Sequence, residues 1–184
     1  MRSQTTLPVS SPFSGADREV SPASIALRFE RVVAAHAGLL EALFERNAVP
    51  EITTAFDPFP LTTERARQIA IEPRRDAYYV AVDSEQLVAM SMLRGFDERY
   101  ETPSFGIFVD RASHGRGVGR SFTAWTIEEA RRMGAPSVRL SVYGENTRAL
   151  AIYRSLGFVE QQREVVTRAG GSSEKLILRL DLGS

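Results

Sequence analysis

Three glycines at alternate positions, Gly115, Gly117 and Gly119, stand between an apolar run ending at Val109 and a long amphipathic segment that begins near Val118. A strand-to-helix turn of this kind restricts the fold to one in which a helix N-terminus opens behind a glycine loop. Residues without a Cβ let successive backbone N–H groups turn toward one anion, and the helix end behind them adds a partial positive charge. Two readings are open at this point: a cradle for a diphosphate, and a tight connection that binds nothing.

The loop excludes two common phosphate binders. A Walker A loop ends in Gly-Lys-Ser/Thr, whereas Gly119 is followed by Arg120. The dinucleotide fingerprint needs its third glycine three residues after its second, and that position, counted from Gly117, is Arg120.

Composition narrows the chemistry further. With 184 residues, 43% of them hydrophobic, the chain can bury one sizeable core, so a single domain over residues 25–184 is expected. Residues 1–24, rich in Ser, Thr and Pro, read as a flexible leader outside the fold. There is no cysteine, which removes thiol nucleophiles, thiolate metal sites and disulfides. The only histidines are His36 and His114, with no His-Glu-x-x-His or Gly-x-Ser-x-Gly, so no metal site and no serine elbow are expected. Formal net charge is zero, the basic residues are scattered, and Lys175 is the only lysine, which argues against a nucleic-acid surface. No stretch approaches a membrane span and no apolar signal core opens the chain, so a cytoplasmic protein with no membrane partner is expected.

Hydrophobic periodicity gives the element order. A strand from Ile25 is followed by a helix face of Val33, Ala37, Leu40, Leu43 and Phe44. The Pro-interrupted aromatic loop from Phe56 ends at a Thr cap, and Ala66, Ile69 and Ala70 mark a second helix to about Ile71. Strands follow at 77–82, 87–94 and 104–109, with turns at 83–85 and 97–103. A helix over 118–133 buries Phe122, Trp125, Ile127 and Ala130, and Gly134-Ala-Pro136 closes it. Next come a strand over 137–142, a helix capped by Asn146 and stopped by Gly157, and strands over 159–166 and 175–182 beside Gly170-Gly171. The fold class is α/β: a mixed, mostly antiparallel central sheet with helices on both faces.

The pair His-Gly-Arg-Gly-Val-Gly (114–119) and Asn-x-x-Ala-x-x-x-Tyr-x-x-x-Gly-Phe (146–158) resembles the GCN5-related N-acetyltransferase family, over residues 25–182. The resemblance implies that family's fold, acetyl-CoA as co-substrate, no metal, and direct acetyl transfer to a primary amine. The family's Gln/Arg-x-x-Gly-x-Gly/Ala loop carries over to His114, Gly117 and Gly119, with Gly115, Arg116 and Val118 between and Arg120 after. His114 departs from the usual Arg or Gln, although most contacts to the phosphates are made by backbone. Ile107, Phe108 and Val109 are implied as the pantetheine edge, Asn146 as a further pantetheine contact, and Tyr153 as the residue beside the thioester sulfur. The acyl carbonyl is then expected where strands 104–109 and 137–142 splay apart, freeing N–H donors for the developing oxyanion.

The catalytic assignments that follow are Tyr153 as acid and Glu98 as base. A phenol with a pKa of about 10 is protonated at neutral pH and needs no tuning to donate. Glu98 is one of several carboxylates and rings that could accept the amine proton, beside Asp97, Glu101, Glu145 and His36. In proteins of this resemblance the acceptor lies against the first two helices and the turn before the third strand after them, here residues 55–61 and 97–103, with Phe56, Phe59 and Tyr100 as apolar walls. A small amine such as an amino sugar or amino acid is the expected partner, because no acidic run would attract a basic peptide. Homodimers are common among the proteins it resembles. Two alternatives compete: a non-catalytic acyl-CoA-binding or regulatory module, and a nucleotide-phosphate binder unrelated to thioesters.

Overall fold

The computed structural model describes residues 27–72, 74–168 and 171–183. The leader expected over residues 1–24, and Ile25 and Gly170, lie outside them.

Among the described residues seven strands form one sheet in the order β1-β2-β3-β4-β5-β7-β6. They are β1 Arg28–Arg31, β2 Ala77–Asp83, β3 Gln86–Arg94, β4 Ser104–Val109, β5 Ser137–Tyr143, β6 Val159–Arg168 and β7 Gly171–Asp181. Every pairing is antiparallel except β4 with β5. The helices are α1 Ala37–Asn47, α2 Pro50–Thr53, α3 Thr63–Ile71, α4 Val118–Arg132 and α5 Thr147–Ser155. Among the described residues no helix is long and apolar enough to cross a membrane.

Strands β2 and β3 are nearly continuous apolar runs because both of their faces are covered. On one face α1 and α3 bring Leu40, Leu43, Phe44, Ala66 and Ile69 against Tyr78, Val80, Met90 and Met92. On the other, α4 and α5 bring Phe122, Ile127, Leu150 and Tyr153 against Tyr79, Ala89, Leu93, Phe105, Leu140 and Leu178. Burying each large aliphatic or aromatic side chain contributes about 1.5–3 kcal/mol. The edge strand β6 is exposed along nearly its whole length and carries Glu160, Arg163 and Glu164, charges that discourage pairing with a further chain.

Local signals behave as the sequence predicts at the caps. Thr62 Oγ1 accepts the Arg65 N–H at 3.1 Å and opens α3, and Asn146 Oδ1 accepts the Ala149 N–H at 3.2 Å and opens α5. Three differences have physical causes. Val33 is not on the first helix face: it is extended, 52% exposed and precedes a 3-10 turn at Ala34–His36, so α1 begins only at Ala37. The loop before Phe56 contains the one-turn helix α2, started by Pro50 in the first turn where its missing N–H costs nothing. The last hairpin is longer than its apolar pattern, because β6 and β7 continue pairing through polar residues to Arg168 and Gly171.

The feature that organises the site is the parting of β4 from β5. Their register holds at one pair, Ser104 with Arg139, supported by the Arg139 N–H donating to the Pro103 carbonyl at 3.0 Å. Beyond that pair each strand keeps only its outer partner, β3 for β4 and β7 for β5.

Candidate active site

The loop after β4 is tied down before the glycines begin. Asp110 accepts the Ala112 N–H at 3.1 Å through Oδ1 and pairs through Oδ2 with Arg46 Nε at 2.6 Å, while Asn47 Oδ1 accepts the Arg111 N–H at 3.2 Å. Helix α1 therefore fixes the height at which the loop leaves the sheet. Gly115 and Gly117 then adopt φ of +82° and +81°, in the left-handed region that favours glycine. A Cβ on Gly117 would meet nothing within 4 Å, so its backbone conformation is what calls for glycine there.

Gly117 caps α4 without any side-chain help, and the first N–H to find a carbonyl is that of Ser121, to Gly117 at 3.1 Å. Among the described residues the N–H groups of residues 115–120 have no intramolecular hydrogen-bond partner. A helix N-terminus with its orphan donors intact is a ready anion site. Arg120 lines the same opening, with its guanidinium on Ser155 Oγ. Arg148 reaches it from α5, its Nη2 lying 3.8 Å from where a Gly115 Cβ would stand.

These groups border a cavity of about 330 Å³ between β4, the α4 N-terminus and α5. Of the residues the sequence proposes for the coenzyme, Ile107, Phe108, Val109, His114, Gly115, Gly117, Val118, Gly119, Arg120, Asn146 and Tyr153 line it. Arg116 does not: its guanidinium turns away to Asp83 at 2.8 Å. His114 lines the cavity with its ring turned back, Nε2 donating to the Val109 carbonyl at 2.9 Å, and its N–H donates to Arg111 at 3.2 Å. It shapes the loop through both bonds.

Tyr153 sits on the inward face of α5, edge-on to Phe105 at 6.1 Å and tilted against Phe158 at 5.7 Å. It is 8% exposed, and burial pushes its phenol above the ordinary tyrosine value, so the group is a proton donor throughout the neutral range. Its hydroxyl has no hydrogen-bond partner among the described residues.

A second hollow of about 650 Å³ adjoins the first and shares with it Asp57, Pro58, Phe105 and Ser141. Asp57 is the carboxylate common to both. Its Oδ2 accepts the Tyr143 hydroxyl at 2.6 Å and lies 4.0 Å from Lys175 Nζ. Tyr143 has its pKa raised by burial and then by the Asp57 hydrogen bond, with the Arg168 guanidinium over its ring at 3.8 Å pulling the other way.

The carboxylates proposed from sequence stand elsewhere. Glu98 is exposed and lines the second hollow but not the cavity holding Tyr153. Asp97 accepts the Arg75 N–H at 2.7 Å, Glu145 holds Arg168 at 3.4 Å and Ser173 at 3.1 Å, and His36 holds Glu30 at 3.1 Å. Glu101 is exposed and borders neither space. Of the aromatic walls, Phe56 lines the first cavity and Tyr100 the second, while Phe59 packs against Phe44 at 6.2 Å as part of the core. Asp57, Tyr143 and Arg148 went unnoticed in the sequence; the signal for Asp57 was its position between Phe56 and Pro58 in the loop already read as the acceptor wall.

Comparison with known proteins agrees with this geometry. The family model described as Acetyltransferase (GNAT) family matches residues 40–158. The chain is 33% identical over 84 residues to the [ribosomal protein bS18]-alanine N-acetyltransferase of Salmonella typhimurium, covering 45% of this chain and 57% of that protein. It is 32% identical over 83 residues to the mycothiol acetyltransferase of Jonesia denitrificans, covering 45% of this chain and 26% of that protein. The chain thus spans about half of one of these relatives and a quarter of the other. The crystal structure of a GNAT-family acetyltransferase from Streptococcus pneumoniae superimposes with a TM-score of 0.72 at 17% identity, over 85% of this chain and 99% of that one.

Proposed function

The chain belongs to the GNAT acetyltransferase family, and on that premise we propose that it is an N-acetyltransferase that moves an acetyl group from acetyl-CoA to the primary amine of a small molecule. The observation that carries the reading is the row of unbonded N–H groups at residues 115–120, set at a helix N-terminus beside a buried tyrosine with a free hydroxyl.

Acetyl-CoA supplies an activated acetyl carbonyl and a thiolate leaving group. The N–H groups of residues 115–120, with Arg120 and Arg148 beside them, hold a diphosphate by charge and hydrogen bonding. The edge of β4 released from β5 offers backbone groups to an extended amide chain. As the amine nitrogen bonds to the acetyl carbon and the C–S bond breaks, Tyr153 donates its proton to the departing sulfur, a role that suits a phenol kept neutral by burial. The second proton of the attacking nitrogen returns to the phenolate. Asp57, in the wall shared by the two spaces, receives the acceptor's ammonium group and takes its proton. Holding both reactants at the parting of β4 and β5 converts a bimolecular encounter into a positioned one.

Two measurements test the reading together. Acetyl-CoA at a hundredfold its dissociation constant should stabilise the protein by roughly 2.7 kcal/mol in thermal unfolding, and by more than ATP or GTP at equal concentration. Release of free CoA thiol across an amine panel should then depend on the amine. A larger shift with ATP or GTP overturns the coenzyme assignment, and coenzyme binding without thiol release from any amine leaves a binding module.

A further inference from the structure

Arginines crowd one transverse row of the sheet. Arg94 on β3 pairs in register with Ser104 on β4, Ser104 with Arg139 on β5, and Arg139 with Arg179 on β7. Residues in one row share a face, and Arg139 Nε donates to Ser104 Oγ at 3.1 Å on that face. Two strand spacings, roughly 10 Å, separate the Arg94 and Arg139 backbones, a gap that two arginine side chains can close over Ser104. Like charges placed this way repel unless an anion lies between them.

Their protein partners are incomplete. Arg179 is matched by Asp181 at 2.7 Å. Arg94 is held more loosely: its Nη1 donates to the Pro58 carbonyl at 3.5 Å and Asp76 Oδ2 stands 3.8 Å from its Nε, an ion-pair distance, but that buried Nε has no hydrogen-bond partner. Asp76 accepts the N–H groups of Gly95, Phe96 and Asp97 through Oδ1, which fixes the carboxylate at that distance with Oδ2 toward Arg94. Arg139 forms no ion pair among the described residues. Arg94, Ser104 and Arg139 all line the second hollow, where Asp57 marks the seam with the Tyr153 cavity.

Resting on the function proposed above, we infer that the acceptor carries a carboxylate as well as its amine, the carboxylate seated on Arg94, Ser104 and Arg139 and the amine against Asp57. The charges of the hollow favour this dipolar ligand over a phosphate ester. Its cations Arg94, Arg139 and Lys175 are balanced by Asp57, Glu98 and Glu164, so a dianion would meet as much repulsion as attraction. A guanidinium pair matches the planar fork of a carboxylate. Along β5, Ser141 and then Tyr143, which holds Asp57, follow Arg139 on the same face, so the two ends of the ligand lie along one strand.

Calorimetric titration of the CoA-loaded protein with matched pairs, α- to ω-amino acids and the corresponding carboxamides, reads the seat directly. The best-bound acid should bind about tenfold or more tightly than its amide. Arg139→Gln should collapse that ratio toward one, whereas Arg179→Gln, in the same row but outside the hollow, should keep it. Equal binding of acid and amide, or no binding of any acid, overturns the inference. Thiol release measured on the same pairs separates the two proposals: selective binding without turnover removes the transferase reading and leaves the anion seat, and equal turnover of acids and amides does the reverse.

Discussion

The Tyr153 cavity and the hollow beside it share a wall but are built from different materials. The cavity presents mostly backbone, unbonded N–H groups from one loop and the freed edge of one strand, with one buried phenol inside and Arg120 and Arg148 at its opening. The hollow presents side chains, with three cations and three carboxylates drawn from the α2–α3 loop and from β3, β5, β6, β7 and the β3–β4 connection. A backbone cradle is indifferent to most substitutions that spare its dihedral angles, whereas a side-chain lining changes its ligand with each replacement. One fold can therefore keep a fixed donor while its acceptor varies, which fits relatives named for a ribosomal-protein alanine and for mycothiol.

The contrast can be broken at three points. The largest effect is expected at the exception on the cavity side, the one side chain proposed to do chemistry. Tyr153→Phe should lower kcat by about a hundredfold or more while leaving the KM for acetyl-CoA nearly unchanged, as measured in steady state. Its pH profile carries the sign of the pKa shift. In the proposed role the protonated phenol is the active form, and burial raises its pKa, so wild-type activity should show no alkaline loss from this group below about pH 10.

Gly117→Val tests the backbone claim itself. A β-branched residue at φ of +81° costs roughly 1–2 kcal/mol and turns the N–H groups aside, so acetyl-CoA affinity measured by calorimetry should fall about tenfold. Unchanged affinity would mean that the loop's backbone does not hold the coenzyme.

The smallest effect belongs to Arg116→Ala. Although Arg116 lies inside the glycine motif, its charge is spent on Asp83, so acetyl-CoA affinity should change by less than about twofold. Thermal unfolding should register a loss below about 1 kcal/mol, since the pair is partly exposed to solvent. A large drop in affinity would show that this arginine swings in to meet the phosphates.

Legibility followed the distance over which each feature is encoded. The glycine loop, the Asn146 and Thr62 caps and the Tyr153 face of α5 each depend on residues within one or two turns of one another, and all were readable. Helices on both faces were expected from the element order, and the nearly continuous apolar runs of β2 and β3 fit that cover. The candidate carboxylates were drawn from nearby turns and did not include Asp57, whose place at the seam is held by Tyr143, 86 residues away in the chain. Val33 matched a helical spacing that the backbone does not adopt, because nothing buries it.

By itself the sequence determined the element order, the mixed sheet and the glycine turn at the helix N-terminus, since dihedral preference, capping and hydrophobic period are local properties of the chain. Only the tertiary structure decided where β4 parts from β5, which carboxylate stands at the seam, and that Arg94, Ser104 and Arg139 share a row. Strand register brings those residues together, and register is set by packing across the whole sheet rather than by any segment that contributes to it.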